Sequence, residues 1–379
     1  LCIPLVAFPG RGSAALEALY RFLMDELGVV YLLASLACIG LLTWLAFGRY
    51  GGVKLSSHGE GPEFSTVSWV AMLFCGGIGA GLMYWCGIEW TYYYTAPPFG
   101  AEPRSTAAAE WASTYGMYHW GITAWAIYCL PALAIAYPYY TRRIPWLRFS
   151  NGCHRYLQGR ELGPTARFVD FWLMVAIIAG AGSSLAFCTP MIAACIARVF
   201  GVPYEFWMNL LVIGLSVAIF ATSVWLGLKR GMKNLSDLTL LLSFVFLTYV
   251  LIVGPTNFLV RASVNSVGVM LQNYIRMNFW TDPYLRSGFL ENWTIFYWAW
   301  WMSYAPFIGL FVTRISRGRT IREVIVGMLV FGSLGCALFY MVVGNFAMHL
   351  ELTGQLAVTE IVQNQGGPVA VVAVLDHLP

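Results

Sequence analysis

Charged side chains are scarce in this chain. Only 11% of its 379 residues are charged, against 59% that are hydrophobic, and the mean hydropathy is +0.67. So few polar side chains do not cover a soluble globule of this size. The composition therefore predicts an all-α, polytopic membrane protein that contacts the lipid bilayer. The basic residues lie in short loops between apolar runs, which is typical of membrane topology and not of nucleic-acid binding.

Ligand clusters for a metal or a haem are also missing from the sequence. The five histidines are never paired at helical spacing, and the nine cysteines form no Cys-x-x-Cys pair. Scattered cysteines inside apolar runs are small buried hydrophobic residues. We therefore expect no metal, no redox enzyme, and no cofactor apart from sodium if the protein is a sodium-coupled symporter. A channel is disfavoured because no span offers a polar or charged ring.

Apolar runs long enough to cross a bilayer recur along the chain. We predict spans at 29–47, 65–94, 115–137, 168–199, 207–226, 237–253, 289–315 and 324–348. Basic residues are concentrated after the first, third, fifth and seventh of these spans, which predicts that those loops are cytoplasmic. Between the sixth and seventh, 258–279 is either an amphipathic surface helix or a solvated loop. Because the chain begins at Leu1 and stops as an apolar run opens, we expect a fragment of a longer protein with a truncated first span.

The span 289–315 carries more aromatic side chains than contact with lipid requires. Trp300, Trp301 and Tyr304 lie near its middle, whereas aromatic residues of membrane proteins usually gather at the two interfaces. The i, i+4 spacing places Trp300 and Tyr304 on one helical face. Such a face can form one wall of a cage that holds an organic cation by cation–π attraction. The alternative is that bulky rings fill a helix interface.

A glycine-rich run interrupts the span 65–94 in its middle. Four glycines fall within six residues, at Gly76, Gly77, Gly79 and Gly81. Each lowers helix propensity by about 1 kcal/mol relative to alanine. The run therefore predicts an unwound backbone that faces protein or a water-filled cavity and offers amides and carbonyls to a substrate or an ion. Tight helix packing on small residues is the alternative.

Two spans add further aromatic residues in the middle or outer half of the membrane. Tyr92 follows the glycine run, and the next span carries Trp120, Trp125 and Tyr128, of which the last two share a helical face. Three converging aromatic spans favour a ligand cage over simple packing. Glu89 is either a functional acid or, near the outer end of its span, a solvated or paired structural residue.

Three motifs carry a resemblance to a known family. FYWAWWMSYAPF at 296–307 and RISRGRTIRE at 314–323 resemble the signature of the betaine/carnitine/choline transporter family. IEWTYYYTAPPFG at 88–100 is most similar to the carnitine/butyrobetaine exchangers within that family. The resemblance implies a homotrimer in a bacterial inner membrane, with roughly twelve helices that include two inverted five-helix repeats. It divides the chain into peripheral helices at 1–64, a first repeat at 65–253, an outer connection with a surface helix at 254–288 and an incomplete second repeat at 289–379.

The resemblance also implies a function and a set of site residues. It implies a secondary active transporter, not an enzyme, that carries a quaternary ammonium zwitterion such as carnitine, butyrobetaine or glycine betaine by alternating access. The ammonium group would lie among Trp300, Trp301, Tyr304, Tyr92 and Trp120. An aromatic box on the access path would comprise Trp120, Trp125, Tyr128 and Trp301. The substrate carboxylate would bind the backbone of Gly77, Gly79 and Gly81.

The resemblance leaves two modes of energy coupling open. Lys233 stands where the exchangers carry an arginine in place of a sodium ion, which implies sodium-independent exchange of substrate for product. The alternative for Lys233 is an ordinary lysine of a cytoplasmic loop. Gly81 and Ser303 instead resemble the sodium-coupled symporters that take up betaine or choline as osmolytes. Of the two modes we favour exchange.

Overall fold

The computed structural model describes residues 9–56, 60–77, 79–157, 160 and 163–379. These described residues are almost entirely helical, and an isolated antiparallel bridge joins Lys54 to Thr320. Among them, six helices are long and apolar enough to cross a membrane, or seven if a bent pair counts as one span. The predicted class of polytopic all-α membrane protein is therefore confirmed.

The helices follow one another closely along the chain. In order they are α1 (Pro9–Arg21), α2 (Gly28–Phe47), α3 (Thr66–Gly77), α4 (Gly79–Thr95), α5 (Thr106–His119), α6 (Ile122–Ala136), α7 (Pro164–Phe200), α8 (Phe206–Gly227), α9 (Lys233–Val253), α10 (Thr256–Phe279), α11 (Phe296–Ile315), α12 (Ile321–Leu352), α13 (Val358–Gln365) and α14 (Gly367–Leu375). Short π-helical segments lie at Phe22–Glu26, Tyr137–Thr141, Leu228–Met232 and Leu290–Ile295, and α12 contains two more, Gly327–Gly332 and Tyr340–Gly344. A 3-10 turn at Phe149–Cys153 and a short helix at His154–Leu157 lie between α6 and α7.

Most predicted spans match a helix to within a few residues, but the third does not. The sequence predicted one span from 115 to 137, whereas α5 begins much earlier, at Thr106. Ser105 starts it, because its side-chain oxygen accepts a hydrogen bond from the amide of Ala108, as a helix N-cap does. The same span is also divided at Trp120 and Gly121, where α5 ends and α6 begins.

The span that holds the glycine run is broken in the structure. α3 ends at Gly77, α4 starts at Gly79, and the two helices meet at an angle of 59°. Gly79 has φ +51°, a left-handed conformation that favours glycine because it has no Cβ. Ile78 lies outside the described residues. The break thus falls where the four glycines predicted an interruption.

The helix α11 packs most closely on α6. A Cβ added at Gly309 would stand 3.1 Å from the amide nitrogen of Ala132, so the glycine allows the two backbones to approach. Thr313 then donates a hydrogen bond from its hydroxyl to the carbonyl of Ala132, at 3.1 Å. By contrast, α7 and α8 leave large apolar side chains exposed, such as Trp225, which is 90% exposed. These outer helices provide the surface that faces lipid.

The stretch 258–279 forms a helix and not a solvated loop. α10 runs from Thr256 to Phe279 and packs against α5. Leu259 and Met277 are buried on its inner face, whereas Val264 and Ile275 are exposed. The helix therefore has the two-sided character that its sequence predicted.

Two loops that were both predicted to be cytoplasmic pair with each other, and we call this contact the loop clamp. The amide of Gly318 donates to the carbonyl of Leu55 at 2.8 Å, and the amide of Leu55 donates to the carbonyl of Arg319 at 2.8 Å. The Arg319 side chain is only 4% exposed, lies 4.0 Å from the centre of the Trp69 ring and donates to the carbonyl of Phe64 at 3.1 Å. Burial lowers the pKa of Arg319, but a guanidinium stays charged because its ordinary pKa is so high.

Candidate functional site

Four aromatic rings of the predicted access-path box form a continuous chain. Trp301 on α11 contacts Trp120, at the end of α5, with ring centres 4.9 Å apart and ring planes at 72°. It also contacts Tyr128 on α6 at 5.7 Å, and Tyr128 contacts Trp125 at 6.0 Å. All four rings are buried. The structure thus brings these residues together from three helices, and their role in binding stays a prediction.

Trp300 and Tyr304 extend this cluster toward α7. Trp300 stacks on Trp301 with ring centres 5.3 Å apart and planes at 12°. The hydroxyl of Tyr304 lies 2.9 Å from the hydroxyl of Ser184. Tyr304 packs so closely on α7 that a Cβ added at Gly180 would stand 2.5 Å from its ring. Because both Trp300 and Tyr304 are only half-buried, they form the more accessible side of the cluster.

Tyr92 lies apart from the other predicted cage residues. Its ring packs on Trp293, with centres 5.2 Å apart, and Trp293 also contacts Tyr297 on α11. Trp293 was not singled out from the sequence, although it belongs to the same aromatic-rich segment. In this conformation Tyr92 is thus linked to α11 through Trp293.

The glycine break lies beside the aromatic cluster. A Cβ added at Gly81 would stand 3.8 Å from the Trp120 ring, whereas one added at Gly79 would meet nothing within 4 Å. Gly79 also borders a cavity of about 510 Å³, whose wall includes Ser236 and Phe311. The surroundings of Gly77 lie outside what the structure describes. The broken backbone therefore faces both the cluster and a partly open cavity, which is one of the two arrangements expected for it.

Lys233 pairs with a carboxylate on its own helix. Its ammonium nitrogen lies 2.8 Å from Oδ2 of Asp237, one turn along α9. The same oxygen accepts a hydrogen bond from the hydroxyl of Ser68 in the first turns of α3, at 3.0 Å. Both Lys233 and Asp237 are one-third exposed. The pair joins α9 to the start of α3, and the part that Lys233 plays in coupling stays a prediction.

Glu89 lies at the centre of a hydrogen-bond network that the sequence did not reveal. Its side chain is fully buried, and its two oxygens accept hydrogen bonds from four residues. The donors are the hydroxyls of Tyr93, Tyr297 (2.6 Å) and Tyr340 (2.6 Å), and Nε1 of Trp120 (3.0 Å). The structure excludes the solvated role considered for Glu89, because the side chain is buried and hydrogen-bonded, and both the functional acid and the paired structural residue stay predictions. Only Tyr93, at i+4, could have been found from spacing.

His119 continues the network toward Trp301. Its Nδ1 lies 2.9 Å from the Tyr93 hydroxyl, and its Nε2 lies 3.0 Å from the hydroxyl of Thr294. The His119 carbonyl accepts a hydrogen bond from Nε1 of Trp301 at 2.9 Å. The polar edges of Trp120 and Trp301 therefore both point into one buried network, while their ring faces are directed elsewhere.

The comparison with known families covers the whole chain. The sequence model described as "BCCT, betaine/carnitine/choline family transporter" matches residues 1–379. The chain belongs to the betaine/carnitine/choline transporter family. The resemblance noted from the sequence motifs is thereby confirmed, and the match covers the aromatic cluster, the glycine break and the loop clamp alike.

Two relatives place this betaine/carnitine/choline family member more closely. It is 38% identical over 345 residues to a protein of Escherichia coli K12 named "Uncharacterized transporter YeaV", covering 91% of this chain and 71% of the relative. It is 36% identical over 351 residues to a protein of Acinetobacter baumannii named "Carnitine transporter", covering 92% of this chain and 63% of the relative. The chain thus spans less than two thirds of that carnitine transporter. Family membership and these names indicate membrane transport rather than enzymatic catalysis.

Proposed function

We propose that this protein is a secondary active transporter of a quaternary ammonium zwitterion, such as carnitine, butyrobetaine or glycine betaine, in a bacterial inner membrane. It works by alternating access, without an enzymatic step and without a bound cofactor. The observation that carries the proposal is the contact of Trp301 with Trp120 and Tyr128 beside a broken helix. The name of the Acinetobacter relative supports the substrate class. The proposal includes a homotrimer, which cross-linking in native membranes would detect.

The aromatic cluster suits the chemistry of this substrate class. A quaternary ammonium group has no N–H to donate, so cation–π attraction is the main attraction open to it, at about 2 kcal/mol or more when desolvated. The half-buried rings of Trp300 and Tyr304 provide the first surface for the cation. The substrate carboxylate then binds backbone amides at the break near Gly79 and Gly81.

Exchange without sodium is the mode of coupling that we propose. The ammonium of Lys233 acts as a tethered cation at the junction of α9 and α3, where the hydroxyl of Ser68 reaches the carboxylate that Lys233 pairs with. A fixed charge takes the place of an ion but cannot couple transport to an ion gradient.

Sodium symport is the second candidate, and one observation favours it. Asp237, at 2.8 Å, already neutralises the charge of Lys233. In this reading the lysine is a structural residue, and a sodium ion binds elsewhere at the break.

Transport by the complete protein in proteoliposomes separates these candidates. Uptake of labelled carnitine and glycine betaine is measured with and without a sodium gradient, and with and without unlabelled substrate inside. Uptake that needs internal substrate and ignores sodium supports exchange. Uptake that needs sodium and no internal substrate supports symport. Saturable uptake of neither compound under any condition refutes the proposed substrate class.

A variant tests the lysine directly. Lys233→Ala is expected to lose exchange, or to acquire a dependence on sodium, whereas Lys229→Ala serves as the control because Lys229 is a 71% exposed lysine of the same loop. If both variants exchange substrate as the wild type does, Lys233 is not the ion substitute.

A further inference from the structure

Glu89 carries a carboxylate that is fully buried on α4. Within the described part of the chain, the only basic group recorded near it is the His119 ring, with Nδ1 3.9 Å from Oε1. Burying an unpaired carboxylate is unfavourable unless hydrogen bonds compensate it. Four donors on two oxygens provide that compensation.

The pattern of donors accommodates an ionised Glu89. Oε2 accepts from the Trp120 indole, which can only donate, and from the hydroxyls of Tyr297 and Tyr340, so a proton on Glu89 could lie only on Oε1. Oε1 accepts from Tyr93, whose oxygen lies 2.9 Å from His119 Nδ1. A neutral His119 completes this scheme by donating from Nδ1 to Tyr93 and accepting the Thr294 hydroxyl proton at Nε2. Every polar group of the network is then satisfied, with one net negative charge.

This charge is linked to both tryptophans of the aromatic contact. Trp120 donates directly to Oε2 at 3.0 Å. Trp301 donates to the carbonyl of His119 at 2.9 Å, and the His119 ring is held through Tyr93 by Oε1. Each hydrogen bond holds the N–H edge of one indole, and the packing of the two rings on each other, at an angle of 72°, completes their orientation.

We propose that Glu89 is a positioning residue of the cation site, an ionised carboxylate that orients Trp120 and Trp301 and gives the site a fixed negative charge at the N–H edge of the Trp120 ring. The inference rests on the proposed function, because it requires that a cation bind at these rings. It assigns Glu89 a part in recognising the positive head of the substrate and not its carboxylate.

A neutral isostere of the substrate tests this role. In 3,3-dimethylbutanoate a carbon atom replaces the nitrogen of glycine betaine, so the two compounds share shape and carboxylate but only glycine betaine has a cationic head. Each is used to inhibit uptake of labelled carnitine or glycine betaine, whichever the wild type carries. Glu89→Gln keeps the shape of the side chain and removes its charge. We expect its inhibition constant for glycine betaine to rise about tenfold, because the Coulomb attraction between the carboxylate and the cationic head is lost, and that for 3,3-dimethylbutanoate to change less than about twofold.

The contrast between the two inhibitors distinguishes recognition of charge from general damage. If Glu89 only supports the fold, both inhibition constants rise together and the inference is refuted. Glu110→Gln, which neutralises an exposed acid on the neighbouring α5, is the matched control and is expected to leave both constants unchanged. If Glu89→Gln does not fold, Glu89→Asp replaces it. That variant keeps the charge and is expected to keep the preference for the cationic inhibitor, and loss of that preference refutes the inference.

Absence of carnitine and glycine betaine uptake by the wild type overturns the proposed function itself, whereas a working wild type with equal shifts for both inhibitors overturns only the role of Glu89.

Discussion

Replacement of Trp301 by alanine tests the aromatic site most directly. The Trp301 ring contacts Trp120, Tyr128 and Trp300, with centres 4.9 to 5.7 Å apart. Trp301→Ala removes the ring that joins three helices at the site. Loss of one desolvated cation–π contact of about 2 kcal/mol weakens binding roughly 30-fold. The substitution also removes the hydrogen bond from the Trp301 indole to the His119 carbonyl, so this carbonyl loses its donor inside the site. Because both contacts are lost together, we expect saturable uptake to fall below detection.

The assay must separate lost binding from lost stability. Removing a buried tryptophan destabilises a protein by about 3–5 kcal/mol wherever it lies. Trp90→Ala is therefore the matched control, because Trp90 is equally buried on α4 but contacts Tyr94 and not the cage. Uptake of labelled carnitine and glycine betaine is measured beside thermal unfolding for both variants. We expect similar loss of stability in both and loss of saturable uptake in Trp301→Ala alone.

Two results would refute the reasoning about Trp301. Saturable uptake by folded Trp301→Ala with the affinity of the wild type would remove this ring from the binding site. Equal loss of uptake in Trp90→Ala and Trp301→Ala would show that transport follows stability, so that Trp301 is a packing residue. Trp301→Phe, which retains an aromatic face of weaker cation–π character, is expected to lie between the wild type and the alanine variant.

The remaining predictions concern the break and the loop clamp. Gly79→Ala places a Cβ on a residue in the left-handed conformation, at φ +51°, and is expected to destabilise the break by about 1 kcal/mol and to lower the maximal uptake rate. Gly182→Ala, in open space on α7, serves as the control. An unchanged uptake rate in Gly79→Ala would contradict a functional role for the break. Arg319→Gln leaves the Phe64 carbonyl without its charged donor and is expected to destabilise the protein by about 1.5–3 kcal/mol, measured by thermal unfolding. Arg317 is a more exposed arginine that pairs with Glu60, so Arg317→Gln is expected to have little effect. Equal effects of the two arginine substitutions would argue against a structural role for the loop clamp.

The elements that the sequence predicted well depend on local signals. Hydropathy alone predicted α2, α7 and α8, because a membrane-spanning helix needs only a long apolar run. Four closely spaced glycines likewise predicted the break between α3 and α4. The ion pair of Lys233 with Asp237 could also have been predicted, because residues at i and i+4 lie on the same face of a helix. In each of these cases the physical cause lies within one or two helical turns.

The features that the sequence did not predict depend on distant residues. Tyr297 and Tyr340 reach Glu89 from 208 and 251 residues away, so no local pattern could reveal that this acid is satisfied in the core. The early start of α5 was missed for a different reason, because Ser105 caps it in a stretch with low hydropathy. The proximity of Trp120 to Trp301 was inferred from the family resemblance, since periodicity within one helix does not say which other helix its face will meet.

The loop clamp bears on which parts of the protein can move separately. Its backbone hydrogen bonds continue from Arg322 to Gly51 and from Ile321 to Val53, at 2.9 Å each, so they tie the end of α2 to the turn between α11 and α12. Relative motion between these elements would break several hydrogen bonds at once. In alternating access, α2 would therefore travel with the α11–α12 hairpin as one rigid unit, although the two lie far apart in the sequence. The moving body is then defined by this contact between loops, and it includes a helix that the family resemblance places outside the predicted repeats.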